Sequence, residues 1–404
     1  MGAFDVVVLG GGTAGVHVAT EVADGGKAVA LVEAGLIGGE SAYLACLPSN
    51  SLLLSAARGE TWEDAVARRN EVTGGLDDSA TARRLSRAGV TVIRGTGRIA
   101  APGMVEVTLA PDPDADPDQQ AAAGATTTLS YSDLVIATGC EPVAPPIEGL
   151  SDIPAWTTAQ SLSSPDLPRR LIVLGGGAAG CELTQVYASF GSQVTLVEAE
   201  PALLPGEPAF AGEILATALR RAGAEIRLGS RATKAERTSE GLTLALEDGT
   251  RIDADRLLIA TGRRPRLGGL GLDALGLEVT PGMALPTTTR CEVAGAGGHG
   301  GPGLGGRRRN RYYFFPCQPL PGRRGRGEHP RSARRSRLQR DPALRVHHAL
   351  GVRGRRRPGR DGAGHHPGTP GPGRSGLHRA LRERRDRGAG GRGRGGAGRG
   401  RVDG

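Results

Sequence analysis

Residues 4–15 read FDVVVLGGGTAG, an apolar, β-branched run that stops abruptly in glycines at 10, 11, 12 and 15. A short run of this kind, bounded by glycine, fits a strand buried on both faces of a parallel sheet. The residues that follow, VHVATEVAD, place apolar side chains at helical spacing, and AVALVE at 28–33 is a second buried-strand run that ends in Glu33. Strand, glycine turn, helix, strand and acid is the order of a dinucleotide-binding unit. In that order Gly10 makes the turn, Gly12 admits a diphosphate, and Gly15 lets the helix approach the strand. The helix N-terminus turns backbone donors and a positive dipole end toward the phosphates. Glu33 is placed to accept hydrogen bonds from a ribose.

The unit occurs twice. LIVL at 171–174 runs into GGGAAG, with Gly175, Gly177 and Gly180 at the same spacing; a helical stretch follows, and QVTLVE at 193–198 ends in Glu198. Two such units predict two dinucleotides, one flavin (FAD) and one nicotinamide. An acid at Glu198 suits the free ribose 2′-hydroxyl of NAD, whereas a 2′-phosphate calls for arginine, so NAD(H) is favoured over NADP(H). Each unit is closed by a matching strand end: DLVIATG, with Ala137, Thr138 and Gly139, and RLLIATGRRP, with Gly262.

With these motifs in this order, the first 300 residues resemble the two-dinucleotide pyridine nucleotide-disulfide oxidoreductases, the family of lipoamide dehydrogenase, glutathione reductase and mercuric reductase. The resemblance implies an α/β fold of two Rossmann-like domains, an FAD domain with an NAD domain inserted in it. The expected limits are 1–150 for the first part of the FAD domain, 151–268 for the NAD(P) domain and 269–300 for an incomplete return to the FAD domain. It also implies an FAD-dependent oxidoreductase that accepts hydride from NAD(P)H. GTG at 95–97 resembles the family strand whose backbone touches the adenine, which puts Gly97 at the FAD site.

One motif departs from the family. After the flavin-ribose acid the family reads GGxCxxxGCxPSK, with a redox disulfide beside the isoalloxazine; here residues 38–50 read GGESAYLACLPSN. Carried over residue by residue, Gly39 keeps its place, Ser41 stands at the first cysteine, Cys46 at the second and Asn50 at the lysine. Serine forms no disulfide, so a dithiol cannot relay the two electrons. The family lysine pairs with the acid at the position of Glu182 and favours reduced, anionic flavin; Asn50 removes that charge. Hydride transfer from NADH to flavin survives this loss, and the electrons are expected to leave for a small-molecule acceptor, quinone-like or a dye. Two readings of Cys46 stay open: an electron-relaying thiol, or a small residue kept for packing.

The net charge of +9 is unevenly spread. Residues 301–404 hold 28 Arg, no Lys and 6 acidic residues, so the first 300 residues are acidic overall. After YYFF at 312–315 that segment has no Phe, Trp or Tyr. An Arg/Gly/Pro-rich chain so poor in burial surface cannot offset its ordering entropy, and it reads as a disordered tail in place of the dimerisation domain through which the family forms homodimers. Codons compatible with Leu304–Arg331, read one nucleotide later, yield WAAGDVTGITFSHASHYQAGVVAANILG, which carries the Gly-Asp pair that the family uses on the flavin ribitol. A single-nucleotide shift near 290–303 would account for the tail, and an inactive frameshifted product is the alternative to an active enzyme. A further alternative is that the arginine-glycine segment binds nucleic acid; without interleaved aromatic residues it would do so nonspecifically. Five scattered cysteines fit neither a disulfide framework nor a metal site, and no apolar run reaches the roughly 18 residues of a membrane span, so a cytoplasmic enzyme is expected.

Overall fold

The computed structural model describes residues 2–111, 124–153, 155–288, 290–294 and 311–314. The opening run forms β1 (Gly2–Leu9), whose last four residues are buried. It turns into α1 (Thr13–Asp24), which buries Gly15, Val18, Ala19 and Val22, the i, i+3, i+4, i+7 stripe of a helix lying on a sheet. β2 (Val29–Glu33) returns parallel to β1, with Val6 opposite Val29 and Leu9 opposite Val32.

Four helices follow before the sheet resumes: α2 (Gly39–Tyr43), α3 (Cys46–Ala57), α4 (Trp62–Val72) and α5 (Ser79–Arg87). β3 (Val90–Ala101) lies parallel to β2, and β4 (Met104–Leu109) runs back along it. β5 (Thr126–Ile136) pairs antiparallel with β4 and parallel with β1, so the first sheet folds back on its own beginning.

The chain leaves through β6 (Cys140–Pro142) and, after a short β7 (Trp156–Thr157) and α6 (Thr158–Ser163), enters the second repeat. That repeat is β8 (Arg170–Leu174), α7 (Ala178–Ser189) and β9 (Gln193–Val197). With α8 (Ala209–Arg221), β10 (Glu225–Arg227) and, later, β14 (Arg256–Ile259), it completes a five-stranded parallel sheet in the order β10-β9-β8-β14-β7. Between β10 and β14 lies an antiparallel meander, β11 (Ala232–Thr238), β12 (Gly241–Leu246) and β13 (Arg251–Ala254). The chain re-enters the first unit through β15 (Arg263–Pro265), which pairs antiparallel with β6, Arg263 opposite Pro142 and Pro265 opposite Cys140. Leu267, Leu270, Leu272, Leu275, Leu277, Leu285 and Val293 then join the core of the first sheet beside Val7, Ile99 and Leu134.

Two findings depart from the expectations. Residues 61–88 fall within the limits 1–150 expected for the FAD domain, but the α4 half of that stretch packs against the second repeat. Trp62, with Leu52 of α3, lies in one core cluster with Tyr187, Leu183 and Leu196. The Trp62 ring stands 5.1 Å from that of Phe190, edge to face, and its Nε1 donates to the Pro165 carbonyl at 2.7 Å. A buried indole of this size contributes about 1.5–3 kcal/mol through burial alone. The second departure lies in the tail: Arg311–Phe314 is not disordered but forms β16, parallel to β5 with Tyr313 opposite Val135. Tyr312, Tyr313 and Phe314 are buried, and Arg311 bonds the Asp133 carboxylate at 2.9 Å. Aromatic side chains suit a half-open strand position, and the edge of β5 supplies one. The remainder of the expected disordered tail, 301–310 and 315–404, lies outside the described residues. Among the described residues no helix is long and apolar enough to cross a membrane, and no group of three metal-ligating side chains occurs.

Candidate functional site

Glycine builds both turns by the same contacts. Gly10 sits at φ 101°, and a Cβ there would lie 2.2 Å from the Ala137 carbonyl oxygen; one on Gly15 would lie 1.8 Å from that of Gly10. The second repeat matches it, with Gly175 at φ 109° and a Gly180 Cβ 1.9 Å from the Gly175 carbonyl oxygen. No side chain fits at such distances, so the sequence leaves only glycine at these positions. Gly12 and Gly177 cap α1 and α7 in extended conformation, and nothing lies within 4 Å of a Cβ on either. That open space in front of each helix N-terminus is where a diphosphate fits.

Each strand-end acid is held by its own turn. Glu33 Oε2 accepts the Gly11 amide at 2.5 Å and Oε1 that of Gly35 at 2.6 Å. Glu198 Oε2 accepts the Gly176 amide at 2.5 Å and Oε1 that of Glu200 at 2.8 Å. A carboxylate accepting two backbone N–H groups keeps lone pairs for ribose hydroxyls.

A cavity of about 1110 Å³ opens at the first turn, and most of the residues expected to bind FAD meet there: Gly10, Gly12, Glu33, Gly39, Ser41, Gly97, Ala137, Thr138 and Gly139. Gly15 lies behind it, between helix and strand. Cys46 is on the wall as well, at the first residue of α3, and is an exposed free thiol. Burial therefore does not account for Cys46 as it does for Cys181 and Cys291. Burial pushes the Cys181 thiol up to about 11, with the Glu198 charge adding to it, which leaves that thiol inert at neutral pH.

Two expected residues stand elsewhere. Asn50 is exposed on α3 and does not line the cavity. Glu182 Oε1 accepts from Ser49 Oγ at 2.8 Å, so the serine one residue before Asn50 takes the place beside the acid that the resemblance gives to position 50. Gly175, Gly177, Gly180 and Glu198 belong to the second turn, and neither they nor Gly262 line the first cavity. Gly262, at φ 126°, accepts the Val143 amide at 3.0 Å where the two linking strands meet.

Of the charged and imidazole side chains lining the cavity, the sequence left four unassigned: His17, Glu40, Arg263 and Arg266. Arg263 Nη2 donates to Glu40 Oε2 and, at 2.7 Å, to the Cys140 carbonyl. Arg266 Nη2 donates to the same carbonyl at 3.1 Å and stands 3.5 Å from Glu40 Oε1. The surplus arginines of RLLIATGRRPR were the available signal.

The segment before Gly38 is fixed from below. Asp78 accepts the Ile37 amide at 2.6 Å and both terminal nitrogens of Arg94 at 3.0 and 2.7 Å, all but buried. Burial pushes the Asp78 carboxyl up, but the Arg94 guanidinium and the Ile37 amide outweigh it and hold it below its ordinary value.

A family model described as pyridine nucleotide-disulphide oxidoreductase matches residues 4–296. A dihydrolipoyl dehydrogenase of Thermus scotoductus is 31% identical over 328 residues, 74% of this chain and 65% of the relative. A mercuric reductase of Shigella flexneri is 29% identical over 313 residues, 70% of this chain and 52% of the relative. Among solved structures, the Cu(II) complex of the HOCl-induced flavoprotein disulfide reductase RclA from Escherichia coli superposes with a TM-score of 0.65 at 28% identity, covering 73% of this chain and 64% of the other. The chain thus spans about half to two thirds of the length of these curated relatives.

Proposed function

Since the chain belongs to the pyridine nucleotide-disulphide oxidoreductase family, we propose that it is an FAD-dependent oxidoreductase that takes hydride from NADH and passes electrons to a small non-disulfide acceptor, quinone-like or a dye. FAD belongs in the first cavity and the nicotinamide dinucleotide at the second turn, where Glu198 favours NAD(H). The residues fit the flavin: the cavity has the volume of a large-ligand site, and its floor is the glycine turn that a Cβ would fill. Bound flavin supplies two-electron acceptance and stepwise release. The chain's own part is to hold it: α1 turns its first amides toward the diphosphate, Glu33 takes the ribose, and the Thr138–Gly139 turn lines the cavity beside Gly10.

The observation that carries the acceptor is the pairing of Ser41 with a single exposed Cys46 on one cavity wall. Among the described residues lining this cavity Cys46 is the free thiol and Cys140 is disulfide-bonded, so with serine at 41 Cys46 forms only a mixed disulfide there. Purified protein is expected to be yellow, to bleach with NADH faster than with NADPH, and to reoxidise with a benzoquinone but not with lipoamide or glutathione disulfide. Ser41→Cys is expected to add a second titratable thiol on reduction. Rapid reoxidation of the unaltered chain by lipoamide would overturn the acceptor assignment.

The shifted-frame reading of 304–331 favours a second reading, an inactive product of a damaged coding sequence. Resequencing the coding strand across 290–303 decides it: one extra or missing base there supports this reading, and an uninterrupted frame with codons that cannot encode the shifted peptide removes it.

A further inference from the structure

We propose that Glu40, Arg263 and Arg266 form an ionic clasp over the first cavity, and that Arg266 exchanges its contact with Glu40 for the diphosphate of the bound dinucleotide. The inference rests on the reading that this cavity takes FAD. Placement is its first support. A Cβ on Gly39 would lie 2.6 Å from the Gly12 Cα, so Glu40 is one residue removed from the glycine that opens the α1 N-terminus. A carboxylate there faces the position of a dianionic group and repels it. Two arginines answer that charge, leaving the trio with a net positive charge.

The two arginines differ in how firmly they are held. Arg263 bonds both Glu40 and the Cys140 carbonyl, and its side chain is 34% exposed. Arg266 makes only the looser pair, 3.1 Å to the carbonyl and 3.5 Å to Glu40, with its side chain 51% exposed. Its backbone, by contrast, is pinned: the Arg266 amide donates to the Gly139 carbonyl at 3.0 Å, and Thr138 Oγ1 donates to the Arg266 carbonyl at 2.7 Å. A fixed backbone carrying a loosely held guanidinium at the cavity wall suits an incoming phosphate, to which arginine offers paired donors. Arg263 then keeps Glu40 neutralised while Arg266 moves.

The clasp makes the two partners act in opposite directions, which a purely structural ion pair would not. FAD affinity of the full chain is read from quenching of flavin fluorescence, at low and at moderate NaCl, with thermal unfolding as a control. Arg266→Gln is expected to weaken FAD about ten-fold and to flatten the salt dependence, Arg266→Lys to recover part of the loss, and Glu40→Gln to tighten FAD several-fold. Equal weakening by Arg266→Gln and Glu40→Gln, or unchanged affinity in Arg266→Gln, overturns the exchange while leaving the FAD reading intact. An unaltered chain that takes up no FAD overturns that reading, and the clasp with it.

Discussion

The two glycine turns are nearly superposable in their contacts and differ in what covers them. In the first, the roof is Gly38 and Gly39: the Gly38 amide donates to the Gly11 carbonyl at 2.7 Å, and φ is 121° and 72° at the two residues. In the second, the same bond is made by Leu204, whose amide donates to the Gly176 carbonyl at 2.9 Å with φ at 54°, while a Cβ on Gly176 would meet Leu203 at 2.6 Å. Left-handed backbone at leucine costs about 1–2 kcal/mol, which the burial of Leu203 in the second core offsets. A glycine roof leaves the first turn open to α2, Ser41 and Cys46, whereas a leucine roof leaves Glu198 only 9% exposed. The glycine spacing therefore sets how a dinucleotide is held, and the residues after the acid set what it can meet.

Matched substitutions would break that likeness most severely. Helix propensity favours alanine over glycine, yet at Gly15 and Gly180 the new methyl would lie within 2 Å of a carbonyl oxygen. Gly15→Ala is expected to abolish flavin retention, read as loss of yellow colour. Gly180→Ala should keep the flavin and lose its bleaching by NADH. If Gly180→Ala also lost the yellow colour, the two turns would not act separately.

Smaller in effect is the support under the first roof. Removing one partner of a buried ion pair costs about 3–5 kcal/mol, and Asp78→Ala would also free the Ile37 amide. Its titration has a definite sign. The carboxyl lies below its ordinary value when folded, so its contribution is complete above the unfolded value, about 3.9, and is lost as pH falls through the folded value. Urea unfolding from pH 7 downward should show stability falling below about pH 4, with Asp78→Asn losing part of that acid limb. An unchanged acid limb in Asp78→Asn would show that the pin contributes little.

The strands, turns and acids of both repeats were legible because strand burial and glycine spacing are local signals. The cavity's ionic residues were not. Glu40 and Arg263 are 223 residues apart, and nothing in either neighbourhood encodes their meeting. Helical periodicity over 61–88 shows that one face is buried but not against which core, so the docking of Trp62 on Phe190 was illegible for the same reason. Arg311–Phe314 was hidden differently: four residues with a strand pattern inside a composition that argues against order. Composition averages over a segment, while β-pairing needs only a short match to an open edge.

The smallest effect concerns the helix that touches both halves of the comparison. α3 begins with Cys46 at the first cavity and, one turn on, Ser49 donates to Glu182 on α7, the helix that opens the second turn. Nearby, the hydroxyls of Ser51 and Thr184 are buried and make no hydrogen bond, so this polar seam is held by few specific contacts. Ser49→Ala would remove one charge-assisted bond and should cost about 1–2 kcal/mol in urea unfolding. Its effect on the two sites should be unequal: FAD affinity unchanged, because Ser49 does not line the cavity, and flavin reduction by NADH slowed, because the bond sets how α3 meets α7. Stopped-flow bleaching at saturating NADH measures this directly. A slower bleach at unchanged FAD affinity would mark Ser49 as a positioning residue between the two turns, and an unchanged rate would reduce the bond to ordinary packing.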